Sequence, residues 1–277
     1  MSGTLYIVAT PIGNLEDLTP RARQTLEAVD LIAAEDTRHT GRLLSHIGAK
    51  TPQMALHDHN ESSVVGTIIN KLKAGDDVAL VSDAGMPLVS DPGYHVVKTA
   101  HENGIRVSPI PGASAVTAAL AASGLPSDRF TFEGFLPARK ASRTKALKRL
   151  SNESRTMVFF ESVHRIAESL HDLATVFGSK RAAFIGRELS KLHEQCVPGT
   201  LGSLMDQVTE KSITTKGEFV IVVAGTEPTT SESIDVDRLL SELAVVLPGK
   251  QAATIAAKVT GARKNALYAR VLELKLK

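Results

Sequence analysis

Cysteine is almost missing from this chain: Cys196 is the only one in 277 residues. A single cysteine excludes an internal disulfide and any cysteine-based zinc cluster, and it suits a reducing cytoplasm. Long apolar runs are missing too, since none reaches the ~18 residues that a membrane span needs. Met1-Ser2-Gly3-Thr4 lacks the basic and apolar regions of a secretory signal, so a cytoplasmic protein with no membrane partner is expected. In that setting Asn60-Glu61-Ser62 and Asn152-Glu153-Ser154 carry no meaning as glycosylation sites. An excess of one charge is also lacking. The net charge of +2 means that a nucleic acid must be met by a local basic patch rather than by a global field.

Familiar signatures are absent as well. No G-x-G-x-x-G follows the first strand, which argues against a dinucleotide site; no G-x-x-x-x-G-K-[ST] or G-x-S-x-G occurs, which argues against a P-loop hydrolase and a nucleophile elbow. His57-x-His59 with Glu61 has an alternation that could present two metal ligands on one strand face. It has no second ligand cluster at recognisable spacing, and no metal is expected.

What is present is a soluble globular composition, 43% hydrophobic and 22% charged, in a chain long enough for two domains. The most informative stretch is Ser82-Asp83-Ala84-Gly85-Met86-Pro87-Leu88-Val89-Ser90-Asp91-Pro92-Gly93. It follows the apolar run Val78–Val81, which reads as a buried parallel strand, and precedes a helix from Tyr94 to Asn103. Ligands of open α/β sheets bind just beyond the carboxyl ends of the strands, where glycine lets backbone approach closely.

The chain before it repeats the pattern. Strands at 5–9, 31–34 and near 54–56 end in Thr10-Pro11-Ile12-Gly13-Asn14, Glu35-Asp36-Thr37-Arg38 and His57-Asp58-His59-Asn60-Glu61. Thr19-Pro20 caps a helix to about Ala28, and Gly48 terminates another that begins near His39. A strand at 106–110 leads into Pro111-Gly112-Ala113-Ser114-Ala115 and an Ala-rich helix. Strands alternating with helices predict a parallel sheet covered on both faces, so five polar or Gly-rich loops share one edge and converge on one cleft.

Composition shifts near Ser123-Gly124-Leu125-Pro126, which places domain boundaries at 1–122, 123–228 and 229–277. The second domain reads as α/β with a mixed sheet: strands at 130–135, 156–160, 182–186, 193–197 and 219–223, the third and fourth joined by a tight turn. The basic segment Arg139, Lys140, Arg143, Lys145, Lys148 and Arg149 lies between the first two and is an RNA-binding candidate. Three helical segments follow a polar linker at 226–233. The last two meet at Gly261 with helix-turn-helix spacing, although a small bundle docked on the second domain is preferred to DNA recognition.

Thr10–Leu15, Ala34–Arg38, Ser82–Gly93, Pro111–Ala115 and Gly186-Arg187-Glu188-Leu189, in that order, resemble the tetrapyrrole methylase fold family. Within it they resemble the bacterial 16S ribosomal RNA (cytidine-2′-O)-methyltransferases. The resemblance implies two α/β domains with S-adenosylmethionine in the cleft between them, a homodimer, and the small ribosomal subunit as partner. By position, Pro11, Ser82, Asp83, Ala84, Gly85 and Met86 would line the cofactor site. Ser114 and Ala115 would complete it from the first domain, and Phe160, Glu161 and Leu189 would close over it from the second. Ser82-Asp83-Ala84-Gly85 stands where porphyrin-modifying members carry Gly-Gly-Asp-Pro, which argues against a tetrapyrrole substrate.

A ribose 2′-OH is a poor nucleophile, so a base or a stabilising charge is useful. Glu35, Asp36, His59 and Glu61 are the titratable candidates at the right sheet edge. Arg38 and Arg187 could hold phosphates, and Glu188 could orient, or cap a helix instead. Two rival functions remain at this point: a methyltransferase of the same fold acting on a small tetrapyrrole-like molecule, and a non-catalytic ribosome-assembly factor.

Overall fold

The computed structural model describes residues 2–57, 60–226 and 236–275. The chain divides into two compact units, Met1–Gly225 and Thr226–Lys277.

The first unit holds two five-stranded sheets. In the first, β1 (Thr4–Val8), β2 (Leu31–Ala34), β3 (Gln53–Ala55), β4 (Val78–Val81) and β5 (Arg106–Ile110) are ordered β3-β2-β4-β1-β5, all parallel. Every residue of β4 is buried because the strand turns alternate side chains to opposite covered faces. Val78 and Leu80 join Ile68, Leu72, Val96 and Ala100 of α3 (Glu61–Ala74) and α4 (Tyr94–Glu102). Ala79 and Val81 join Leu26, Leu43 and Leu44 of α1 (Pro20–Ala28) and α2 (Thr37–Ile47). Thr19 caps α1 by accepting from the Ala22 N–H, with Pro20 at its first position. Gly48 closes α2 in the left-handed region, at φ 76°, as the sequence predicts.

After α5 (Ala115–Ala122) comes the second sheet: β6 (Phe130–Phe135), β7 (Thr156–Ser162), β8 (Ala182–Arg187), β9 (Gln195–Thr200) and β10 (Glu218–Val223). Its order is β6-β7-β10-β8-β9, with only the β6–β7 pair parallel. The pairing of β6 is interrupted by a register shift between Phe132 and Gly134. Met157, Phe159, Ile185 and Ile221 face Leu147 of α6 (Lys140–Arg149), Leu170 and Leu173 of α7 (Ile166–Phe177) and Leu204 of α8 (Leu201–Thr209). Val158, Phe184, Val220 and Val222 face the other way and receive Val116, Ala119 and Leu120 of α5. Fully burying Phe159 and Phe184 contributes roughly 1.5–3 kcal/mol each. Helix α5 therefore leaves the first sheet and packs on the second, which brings the carboxyl edge of the parallel sheet against β7, β8 and β10.

Three features differ from the sequence reading. Helix α7 was not anticipated. Strand β7 runs two residues further, to Ser162. The expected tight turn between β8 and β9 is a connection over residues 188–194 in which Glu188 and Ser190 have φ of 50° and 67°, and β9 begins at Gln195 rather than His193.

The second unit contains α9 (Val236–Val246), α10 (Gly249–Thr260) and α11 (Lys264–Lys275). Leu240, Ala253, Ala256, Leu267 and Val271 form its core. Gly261 ends α10 at φ 72°, and α11 starts three residues later. Among the described residues no helix is long and apolar enough to cross a membrane.

Candidate active site

The loop after β4 is fastened on both sides. Thr10 and Gly85 exchange backbone hydrogen bonds, N–H to O, at 2.9 and 3.1 Å, and Thr10 Oγ1 donates to the Ser82 carbonyl at 3.2 Å. On the β2 side the Asp83 N–H donates to Glu35 Oε2 and Asp83 Oδ1 accepts from the Asp36 N–H, both at 3.2 Å. Gly85 has φ +86°, and a Cβ there would lie 3.3 Å from Ile12 Cγ2, so glycine answers both the backbone conformation and the close approach. Leu88 and Ser90 stand in the left-handed region at φ 68° and 70°. Non-glycine residues held there cost energy, and such strain gathers at ligand sites.

Two hollows open where this loop meets the second sheet. The first, of about 450 Å³, has Gly85 and Met86 on one side, Ser114 and Ala115 at the start of α5, and Phe160 and Leu189 across from them. Phe160 packs edge-to-face on Phe132 and Phe135, with centroids 4.9 and 5.6 Å apart. Gly186 leaves room for Leu189: a Cβ there would lie 3.1 Å from Leu189 Cδ1. A largely apolar cavity of this size with a few polar groups suits a metabolite. The second hollow, of about 340 Å³, adjoins the first through Ile12 and Ala84 and lies over Ser82 and Asp83.

The model of the Tetrapyrrole (Corrin/Porphyrin) Methylases matches residues 4–205, which take in the whole parallel sheet and the second sheet except β10. The chain belongs to the tetrapyrrole methylase family. A second model, described as the RsmI C-terminal HTH domain, matches residues 230–275. The chain is similar to proteins named ribosomal RNA small subunit methyltransferase I. One from Xylella fastidiosa is 53% identical over 96% of this chain and 98% of its own length. One from Pseudomonas aeruginosa is 51% identical over 98% of both, and one from Escherichia coli O157:H7 is 51% identical over 98% of this chain and 95% of its own. Among solved structures, uroporphyrin-III C-methyltransferase from Thermus thermophilus superposes with a TM-score of 0.57 at 18% identity, covering 80% of this chain and 94% of that one. Diphthine synthase gives 0.58 at 16% identity, covering 80% and 90%. At that identity these two share the fold.

In this tetrapyrrole methylase the eleven residues matched to a cofactor site divide between the hollows. Ala84, Gly85, Met86, Ser114 and Ala115, with Phe160, Glu161 and Leu189, line the first. Pro11, Ser82 and Asp83 line the second; Ala84 lines both. The Glu161 carboxylate is already engaged, accepting from the Ser162 N–H at 2.7 Å and Ser169 Oγ at 2.5 Å and pairing with Arg165 at 2.8 Å.

Among the described catalytic candidates, Glu35, Asp36, Arg38 and Glu61 follow β2 and β3 of the first sheet, Arg187 and Glu188 stand at the end of β8 in the second, and most have structural partners. Asp36 caps α2, accepting from the Arg38 N–H at 2.8 Å and pairing with its guanidinium at 2.7 Å. The Arg38 hydrogen bond holds the Asp36 carboxyl well below the usual carboxylate range. Arg38 itself is 87% exposed in this pair. Glu61 is a correction: it is buried and accepts from the His95 N–H at 2.8 Å, satisfying an otherwise open donor at the start of α4. Arg187 is another. It is buried and donates to the Lys216 and His193 carbonyls at 2.6 and 2.8 Å, so it holds the 188–194 connection rather than presenting itself to phosphate. Glu188 accepts from Lys191 Nζ at 2.9 Å and the Glu218 N–H at 3.0 Å. Burial pushes its carboxyl up, and these partners outweigh that and hold it low. His59 lies outside the described residues.

The basic segment is also corrected at one position. Arg139, Lys140, Lys145, Lys148 and Arg149 are exposed, whereas Arg143 is 1% exposed and pairs with Asp172 at 2.7 Å and Glu168 at 3.1 Å. The sequence reading missed Arg42, His39 and Lys191 on the second hollow. The i, i+3 spacing of His39 and Arg42 on the first turns of α2 was a usable signal.

Proposed function

We propose that the protein is an S-adenosylmethionine-dependent methyltransferase that modifies the ribose 2′-OH of a cytidine in 16S ribosomal RNA of the small subunit. The observation that carries this reading is the similarity, over nearly the whole chain, to proteins named as small-subunit ribosomal RNA methyltransferases, joined to the first hollow. A neighbour of the same fold was solved with S-adenosyl homocysteine. The residues present fit the cofactor: the Gly85 conformation and its missing side chain leave a backbone cradle, and Phe160 and Leu189 supply apolar cover. Gly85, Met86, Ser114, Ala115, Phe160 and Leu189 would hold it.

When bound, the sulfonium supplies an activated methyl group, which needs in-line approach by the nucleophile more than covalent help. The methyl group would pass to the ribose oxygen, leaving the thioether, and the hydroxyl proton would go to a neighbouring base or to water. The protein's share is to fix the loops and exclude water. The Glu35–Asp83 and Asp36–Asp83 contacts fasten the loop whose Ser82, Asp83 and Ala84 line the second hollow. The exposed basic face of α6 supplies phosphate contacts, and the chain works as a cytoplasmic homodimer. The test is transfer of a labelled methyl group into small ribosomal subunits from cells lacking this protein, with nuclease mapping of the labelled nucleotide and sedimentation of the enzyme. Label confined to a 2′-O-methylcytidine of 16S RNA is expected; no label in the subunit overturns the reading.

A further inference from the structure

The second hollow shares Ile12, Ala84 and Glu218 with the first and adds His39, Arg42 and Lys191 to its walls. Arg42 lies on one wall, exposed, and makes no ion pair among the described residues. His39 stands one turn earlier on the same helix. The opposite wall is Lys191, whose ammonium is kept in place by Glu188 and Glu218, each at 2.9 Å. Its stem crosses the loop after β1 where Gly13 makes way: a Cβ there would lie 2.3 Å from Lys191 Cγ. At the base is Ser82, which is 2% exposed and whose Oγ has no hydrogen-bond partner among the described residues. A buried hydroxyl left unpaired is unfavourable, and such groups call for a functional explanation.

We propose that this hollow seats the acceptor nucleotide and that Ser82, matched by sequence to the cofactor site, serves the acceptor instead, with Arg42 holding a backbone phosphate beside the methylated ribose and the Ser82 hydroxyl orienting the nucleotide by a hydrogen bond. The assignment rests on the ribosomal RNA reading above and adds where on the protein the substrate lies. Each of its parts has a matching observation. The guanidinium is free for bidentate contact with a phosphodiester, the Ser82 hydroxyl is buried without a partner at the base of the hollow, and the junction at Ala84 brings the compartment against the first hollow. At about 340 Å³ the hollow is on the scale of a small-ligand site, and the central loop differs from that of the porphyrin-modifying members. Arg42 and Ser82 act as positioning residues.

The experiment uses the full chain with small ribosomal subunits from cells lacking it, comparing the wild type with Arg42→Ala, Arg42→Lys and Ser82→Ala. Arg42→Ala should raise the KM for subunits about tenfold and lower the salt slope of binding by about 1, the signature of one lost phosphate contact. Arg42→Lys should recover the slope but only part of the KM. Ser82→Ala should lower kcat/KM about tenfold while leaving the thermal midpoint equal or higher, because it removes a hydroxyl that has no partner in the free protein. S-adenosylmethionine affinity by calorimetry should stay within about twofold in all three. Unchanged KM, slope and kcat/KM overturn the assignment, as does a loss of cofactor affinity equal to the loss of transfer. Absence of methyl transfer by the wild type is a distinct result: it overturns the functional reading, and this assignment with it.

Discussion

Glu35 and Asp83 lock the ends of two neighbouring strands together: the Asp83 N–H donates to the Glu35 carboxylate while Asp83 accepts from the backbone of the next residue, Asp36. A carboxylate spent on a backbone N–H acts by geometry, and the choice of replacement separates that from base catalysis. Glu35→Gln keeps an acceptor oxygen and should retain single-turnover methyl transfer within about threefold. Glu35→Ala removes it and should lower cofactor affinity and transfer together, by about tenfold, the scale of one charge-assisted hydrogen bond. Loss of about 10²-fold in the glutamine variant with cofactor binding intact would instead mark Glu35 as the base.

Gly85→Leu places a side chain at φ +86° and against Ile12. The domain should still fold, since the loop lies at the sheet edge, but S-adenosylmethionine binding should weaken by roughly tenfold or more. Calorimetry on the folded variant checks this, and unchanged affinity would remove the backbone cradle from the account.

Arg143 is expected to govern stability and not RNA. Arg143→Ala leaves Asp172, itself 4% exposed, without its partner, a change that costs about 3–5 kcal/mol for a buried pair. Chemical denaturation should record that loss. By contrast, neutralising Arg139, Lys145 and Lys148 on the exposed face should leave stability near wild type and reduce the salt slope of RNA binding by as much as ~3, about 0.9 per phosphate contact on duplex nucleic acid and somewhat less on single strands. A normal slope in the triple variant would make that helix face an ordinary charged surface.

The Glu188–Lys191 pair gives a pH signature. The Glu188 carboxyl is held low in the folded state by Lys191 and the Glu218 N–H against the opposing effect of burial. Its contribution is therefore present above the ordinary glutamate value of 4.5 and is lost as pH falls through the lower folded value. The Lys191 ammonium, which burial lowers and the Glu218 and Glu188 carboxylates raise more, contributes below its ordinary value of 10.5 and loses that as pH rises beyond it. Thermal midpoints of wild type and Glu188→Gln should differ between pH 6 and 9 and converge toward pH 3; a constant difference would rule out this linkage.

Much of the fold was legible because burial leaves a periodic trace. Val78–Val81 is continuous and apolar since both faces are covered, and Thr19-Pro20 and Gly48 marked helix ends by their own chemistry. Helix α7 carried a trace too, with Ile166, Leu170, Leu173 and Phe177 at helical spacing and Gly178 after them. The mostly polar run Glu161–Arg165 at the strand end masks the start of that pattern. The site was legible as an edge and not as a set of roles. Sequence places Glu61, Arg187 and Arg143 near ligands by residue type, whereas their partners, the His95 N–H, the Lys216 carbonyl and Asp172, lie 34, 29 and 29 positions away. Whether a charge is spent on the fold or free for a substrate is decided by those distant contacts.

The outer strands of the two sheets have a consequence for how copies of this chain can meet. Strand β3 is only three residues long, β5 and β9 carry Pro109 and Pro198, and β6 is broken by its register shift at Phe132 and Gly134. Short length, proline and a bulge each spoil an open row of N–H and C=O groups as a template for another chain. All four edges are blunted in this way, so neither sheet is built to grow by strand addition. Association must run through side-chain faces, and a partly unfolded chain finds no ready ribbon to extend.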